Sequence, residues 1–286
     1  MVAPMNWTST MSAAAFRSEH QRAFGDLRVA FKRRGLATVL DDLRQEGCLK
    51  ARFPRPSDWP EAVLLNTSGG VAGGDRLSLD LELREGASAT FTTQAAERYY
   101  RALDDDAPAR VATKLRIAEN GAAEWLPQES ILFDRCAINR TLAVDAAANA
   151  RFLGVETLLF GRQSSGEHIA TARIADTITI RRAGKLILHD AVRANGPIAD
   201  LLSRPAIANG GSAIATLIHL APDAESHLES LRAAWNDTAA ETGASAWNGL
   251  LIGRIVATSG AQLRAAIIAG LTPLRAGRPL PRVWQC

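Results

Sequence analysis

The most chemically loaded stretch is Gly69-Gly70-Val71-Ala72-Gly73-Gly74-Asp75-Arg76. Four glycines permit positive φ and close backbone approach. Gly69 and Gly74 have the spacing of a phosphate loop, but the next position must then be Lys, and Asp75 would repel a phosphate. The G-x-G-x-x-G register fails as well, because Val71 and Ala72 occupy glycine slots. Two readings stay open: a tight corner that sets one carboxylate against another chain or a polar channel, and a hairpin turn with a solvent-facing Asp.

Further acids sit in apolar settings. Glu124-Trp125-Leu126-Pro127-Gln128-Glu129-Ser130 places two around a kink, and Glu156 interrupts the apolar run from Phe152 to Phe160. A lone buried charge is unfavourable unless paired or facing water, and Arg162 is a candidate partner for Glu156. Two carboxylates about 5–10 Å apart would suit glycoside hydrolysis. No Gly-x-Ser-x-Gly supplies a nucleophile, and Cys136 has no His close in sequence. Thr92 to Arg101 concentrates hydroxyls, an amide, two tyrosines and two arginines. It reads either as a binding surface or as a half-buried strand end with a Glu97–Arg101 ion pair at helical spacing.

Soft metal ligands are sparse. The chain has 3 Cys and 5 His, with no C-x-x-C, H-x-H or H-E-x-x-H arrangement. That argues against a structural zinc site and a tight metal store.

The elements that must position these residues are mostly strands. Leu77, Leu79, Leu81 and Leu83 alternate with polar residues, which is the strand period. Glu85-Gly86 then reads as a turn, with Ala87 to Thr93 returning. Pro127 divides Ala122–Leu126 from Ser130–Phe133. Thr141–Val144, Arg151–Phe160 and His168–Arg182 continue the series. Near the end, Asp223 reads as the cap of a helix carrying Leu228, Leu231 and Trp235. Ser259 with Gln262 reads as a capping box for Leu263, Ile267, Leu271 and Leu274. Ala246–Ala257 is strand or buried helix. The expectation is a mainly β single domain over residues 26–286, a few helices in the C-terminal third, and a loose polar arm over 1–25.

At 286 residues, with 47% hydrophobic and 22% charged content, the chain has enough material for a large core and is not disordered. Net charge is +3. No basic run exceeds Lys32-Arg33-Arg34, so no nucleic-acid partner is expected. The N-terminus lacks the pattern of a signal peptide and no apolar run approaches a membrane span, so the expected location is the cytoplasm, without membrane contact.

Taken in order, these motifs resemble the UreD (UreH) family of urease accessory proteins. The carrying residues are Gly69 to Asp75, Thr92 to Arg101, Glu124 to Glu129, Glu156 through Gly161-Arg162 to Gly166-Glu167, and Pro281-Arg282-Val283-Trp284. The resemblance implies a helix-like stack of strands and a nickel-insertion chaperone, not an enzyme. It implies a UreF-type scaffold, a UreG-type GTPase and apo-urease as partners, and Ni²⁺ in transit with no tightly bound cofactor. Acids inside or beside the matching motifs, namely Asp75, Glu129, Asp134, Glu156 and Glu167, become candidates for a passage, with hydroxyls from Thr92 or Thr93. Motif or docking roles fall to Gly69, Gly70, Gly73, Gly74, Thr92, Thr93, Gln94, Tyr99, Tyr100, Arg101 and Arg162. The rival expectation is a β-rich carbohydrate-active enzyme or binding module.

Overall fold

The computed structural model describes residues 21–55, 59–103, 106–161 and 166–285. Residues 1–20 of the expected arm and Arg162 lie outside the described residues; the first strand opens at Phe24.

The alternating leucines form strand β5 (Arg76–Leu83), with Leu77, Leu79, Leu81 and Leu83 buried. The chain then turns at Gly86, whose φ of +66° suits glycine. The next strand, β6 (Ser88–Thr93), does not return beside β5. It crosses to a second sheet and pairs parallel with β4 (Glu61–Asn66), which β3 (Leu49–Arg52) flanks antiparallel, and with β9 (Ala122–Leu126). β5 instead pairs parallel with β1 (Phe24–Arg34) and β8 (Ala109–Ile117). The hairpin expected at Glu85-Gly86 is therefore a corner between sheets.

The same course repeats. After β6 the chain runs through β7 (Glu97–Tyr99) and back to β8; after β9, Pro127 breaks the strand and β10 (Ser130–Leu132) follows. Next come β11 (Ala137–Ala146), β12 (Arg151–Phe160) and β13 (Thr171–Arg182). β11 stacks parallel on β8 and β13, and β10 stacks parallel on β7 and β12. Successive coils thus lie on one another as a helix-like stack with two broad facing sheets. Antiparallel strands β2 (Ala37–Gly47) and β14 (Lys185–Pro197) border the first sheet. The second continues through β15 (Ala213–Leu220), β17 (Leu250–Ala257) and β16 (Glu241–Trp247). The segment left open between strand and helix is therefore strand. Its turn is Asn248-Gly249, both at positive φ, the pair that two-residue hairpins favour.

Between the sheets lies an apolar lumen wall, including Leu27, Phe31, Leu81, Phe91, Leu115, Trp125, Phe152 and Ile180. Each such side chain contributes about 1.5–3 kcal/mol on burial. The outer face of the second sheet is covered by helix α3 (Gly260–Leu274), whose Leu263, Ile267, Leu271 and Leu274 meet Leu153, Val155, Leu217 and Ile255. Ser259 Oγ accepts from the Gln262 amide as expected, but Gln262 Oε1 turns to Thr258. Helix α1 (Ile198–Leu202) is short, and helix α2 (Leu228–Ala234) follows a 3-10 turn at Ala224–His227. Asp223 does not cap that turn through its side chain; its carboxylate is held by Arg151. No described helix is long and apolar enough to cross a membrane.

Candidate functional site

Strand phase decides which polar side chains enter the lumen. In β11, Ile138, Leu142 and Val144 face inward, and Arg140 shares their phase. In β13, Asp176 falls between Ile174 and Ile178 in the same way. Arg140 and Asp176 are register partners in the parallel pair, which brings the two side chains together. Glu156 enters from β12 on the facing sheet, in phase with Phe152 and Leu158.

These three groups form one buried cluster. Arg140 Nε donates to Asp176 Oδ1 at 2.9 Å and Nη2 donates to Oδ2 at 2.6 Å, a bidentate fork. Arg140 Nη1 lies 2.9 Å from Glu156 Oε2 and donates to Ser130 Oγ at 2.7 Å. Trp125 Nε1 donates to Glu156 Oε1 at 2.6 Å. Two carboxylates share one guanidinium. Burial raises the Glu156 carboxyl above its ordinary range; Arg140 opposes this, and the Asp176 charge adds to it. Burial alone would loosen the Arg140 proton, but Asp176 and Glu156 override it and hold the guanidinium charged.

Above the cluster lies a cavity of about 280 Å³. It is just below the usual range for drug-sized ligands and ample for a hydrated ion. Exposed Gly69, Gln94 and Arg98 surround its mouth, Glu97 and Thr93 line its wall, and Arg140 with Glu156 forms its floor. Burial pushes the Glu97 carboxyl up, with Asn66 Nδ2 and the Arg98 amide opposing. Arg140 and Glu156 also line a second, smaller cavity of about 20 Å³ with Asp176, Asp190 and Thr216. There Arg254 Nη1 donates to Asp190 Oδ2 at 2.7 Å and to Thr216 Oγ1 at 2.6 Å. A polar line thus crosses the stack, from Glu97 past Glu156 to Asp190.

The glycine loop builds the mouth. The Val71 amide donates to the Arg98 carbonyl and the Val71 carbonyl accepts from the Tyr100 amide, and a Cβ at Gly70 would lie 2.4 Å from the Tyr100 ring. Asp75 closes the loop from within: its Oδ2 accepts from the Ala72 amide at 2.8 Å and its Oδ1 from the Ala23 amide at 2.7 Å. It is 5% exposed and does not line the cavity.

Of the acids expected to share a passage, the lumen receives Glu156 alone. Glu129 pairs with Arg264 of α3 at 2.8 Å, on the outer side. Asp134 accepts from the Ala170 and Thr171 amides, and these bonds hold its carboxyl below the ordinary range. Glu167 is half-buried on the loop after β12. Thr93 and Gln94 line the cavity, whereas Thr92 Oγ1 donates to the Leu126 carbonyl away from it. Tyr99 is buried, and only Tyr100 and Arg101 of that trio reach the surface. Gly73 and Gly74 stay in the loop, where a Cβ on Gly73 would meet Ala102 at 2.7 Å. The Glu97–Arg101 pair at helical spacing does not form, because Glu97 opens a strand and bonds Asn66.

Sequence reasoning missed Arg140 and Asp176. The signal was present: each is a charge at the inward phase of an otherwise apolar alternation. Among the described residues the ion-pair partner of Glu156 is Arg140, and the expected partner Arg162 lies outside them.

The family model for the UreD urease accessory protein matches residues 23–285. The urease accessory protein UreD of Xanthobacter autotrophicus is 43% identical over 276 residues, covering 96% of this chain and 94% of that protein. That of Sinorhizobium medicae is 45% identical over 269 residues, covering 92% and 96%. That of Azorhizobium caulinodans is 41% identical over 266 residues, covering 92% and 97%. With the family model spanning residues 23–285 and relatives matched over nearly their full lengths, this chain belongs to the UreD family of urease accessory proteins.

Proposed function

We propose that the chain is a cytoplasmic chaperone that passes Ni²⁺ to the apo-urease metallocentre, working with a UreF-type scaffold and a UreG-type GTPase. The observation that carries this reading is the polar line through the stack, which passes two carboxylates that share one guanidinium. Carboxylate and carbonyl oxygens hold Ni²⁺ less tightly than thiolate or clustered imidazole. An ion in transit must bind well enough to enter and weakly enough to leave. The excess carboxylate favours entry, and Arg140, by neutralising part of it, keeps the ion from being trapped. GTP hydrolysis belongs to the partner on this reading, since the glycine loop carries Asp75 where a phosphate loop needs Lys.

The test is co-expression with urease and its accessory proteins, using Glu156→Gln and Glu97→Gln. Each variant is expected to co-purify with its partners while the urease nickel content falls. Full metallation by the double variant would sink the passage. Loss of co-purification by Tyr100→Ala with Arg101→Ala is the expected sign that the exposed rim of the mouth is a docking surface.

A further inference from the structure

The outer face of the second sheet carries a polar group that the lumen does not use. β15 alternates: Ile218 and Leu220 pack in the lumen wall, while Leu217 and Ala221 pack in the outer core with α2 and α3. His219 has the outer phase. It is 6% exposed, and among the described residues neither its Nδ1 nor its Nε2 has a hydrogen-bond partner. A neutral imidazole brings one N–H and one lone pair, and burying both without partners is unfavourable.

The chain folds back over this ring. After β15 it turns at Ala221, and the 3-10 turn at Ala224–His227 lies across the strand end. The steps from 219 to 223 to 227 then converge. The His227 ring stands edge-on to His219, with centroids 5.3 Å apart at 89°. Asp223 Oδ1 accepts from Arg151 Nη1 at 2.7 Å. One nitrogen of each ring and one carboxylate oxygen lie within 4.8 Å of one another.

We propose that His219, Asp223 and His227 bind one divalent cation of borderline softness, Zn²⁺ or Ni²⁺, on the outside of the second sheet. Two imidazoles and a carboxylate suit such ions, whereas Mg²⁺ and Ca²⁺ prefer all-oxygen cages. Ligand atoms around a first-row ion at about 2.1 Å sit roughly 3.4 Å apart. Closing to that spacing moves half-buried His227 and exposed Asp223, while buried His219 is the fixed point. His219 is buried with no hydrogen-bond partner on either ring nitrogen, so a ring lone pair is free to meet an ion. Arg151 adds a positive charge next to Asp223, which makes the site weaker than a closed four-ligand one. The bound ion would pin the 3-10 turn to β15. The site lies across the sheet from the lumen and does not depend on nickel passing there.

Calorimetric titration of the purified full chain with ZnCl₂, NiCl₂ and MgCl₂ tests this. The wild type is expected to take up one more Zn²⁺ or Ni²⁺ than His227→Ala or Asp223→Asn, or to hold it at least about tenfold more tightly. Glu156→Gln should keep that ion, and MgCl₂ should not compete for it. His219→Ala should also lose the ion; because that position is buried, the near-surface His227→Ala decides if His219→Ala fails to fold. The proposal is overturned if the wild type takes up neither Zn²⁺ nor Ni²⁺. It is equally overturned if His227→Ala and Asp223→Asn match the wild type, if Mg²⁺ competes equally, or if Glu156→Gln alone loses the ion.

Discussion

Residues 124 and 125 are neighbours in β9, yet they serve two opposite ion clusters. Trp125 points into the lumen and donates to Glu156. Glu124 points outward and is gripped by Arg275 at 2.7 and 3.0 Å, Arg278 at 2.6 Å and Thr90 Oγ1 at 2.7 Å. Inside the lumen two acids share one base; outside, two bases share one acid. Burial works against the Glu124 charge, but the Arg275 fork overcomes it and holds the carboxyl below its ordinary range. The Glu156 carboxyl is displaced upward instead. The outer cluster is a lock: it fastens the C-terminal segment to the sheet, with Trp284 Nε1 donating to the Leu126 carbonyl at 3.0 Å. The inner one borders open space and carries an excess of acid. On the function proposed above, a cation would find nothing to bind in the first and a shared acid in the second.

The largest effects should come from deleting the central partner of each cluster. Glu124→Leu and Arg140→Leu each leave uncompensated buried charge, and each is expected to destabilise by about 3–5 kcal/mol at pH 7 in urea unfolding. Lowering the pH separates them. Carboxylates can take up a proton, and each pH unit removes about 1.4 kcal/mol from the work of protonating one. Guanidinium cannot shed its charge. The Arg140→Leu deficit should therefore shrink between pH 7 and 5, while that of Glu124→Leu persists. Equal pH slopes would erase the distinction between the clusters.

Milder substitutions read the same contrast through linkage. Glu124 is lowered in the fold, so its contribution is present above the unfolded value and is lost as pH falls through the folded value. Glu156 is raised, so its contribution is present below the unfolded value and is lost as pH rises through the folded one. Glu124→Gln should cost about 2 kcal/mol at pH 7, with the gap from wild type closing in acid. Glu156→Gln should stay within about 1.5 kcal/mol at pH 7, and the wild type should gain on it as pH falls. Paired unfolding curves at several pH values check both signs.

Much of this architecture can be read from residue order. The alternation at Leu77–Leu83, the break at Pro127 and the spacing in α3 each follow from a local rule, and each forms as expected. The corner at Gly86 is not local, because a hairpin and a crossing between sheets need the same turn residues. Asp75 misleads for a related reason: an acid after glycines can face a channel or close its own loop, and here backbone amides take both oxygens. Arg140 and Asp176 were legible in phase but not in partnership, since their meeting requires the parallel register of β11 on β13.

A smaller test concerns the link between lumen and sheet. Trp125→Phe keeps the ring in the wall and removes the N–H that Glu156 accepts. Loss of one hydrogen bond to a charged group predicts about 1.5 kcal/mol. It also predicts a further rise of the Glu156 carboxyl, visible as a shift in the pH at which wild-type and Glu156→Gln stabilities cross.

The smallest effect should come from Arg278→Ala. Arg278 donates to Glu124 Oε1 and lies over the Trp59 ring at 3.7 Å, so it looks as well placed as Arg275. Its side chain is 24% exposed, however, against 4% for Arg275, and Arg275 alone reaches both Glu124 oxygens. Removing Arg278 leaves the buried acid paired and forfeits one partly solvated bond with a cation–π contact, about 1 kcal/mol together. Arg275→Ala should exceed it severalfold, because Glu124 would then depend on the outer arginine and Thr90. Equal losses for the two arginines in urea unfolding would mean that the outer cluster is a shared network with no single clasp, and its contrast with the fork-held Arg140 cluster would narrow to the sign of the excess charge.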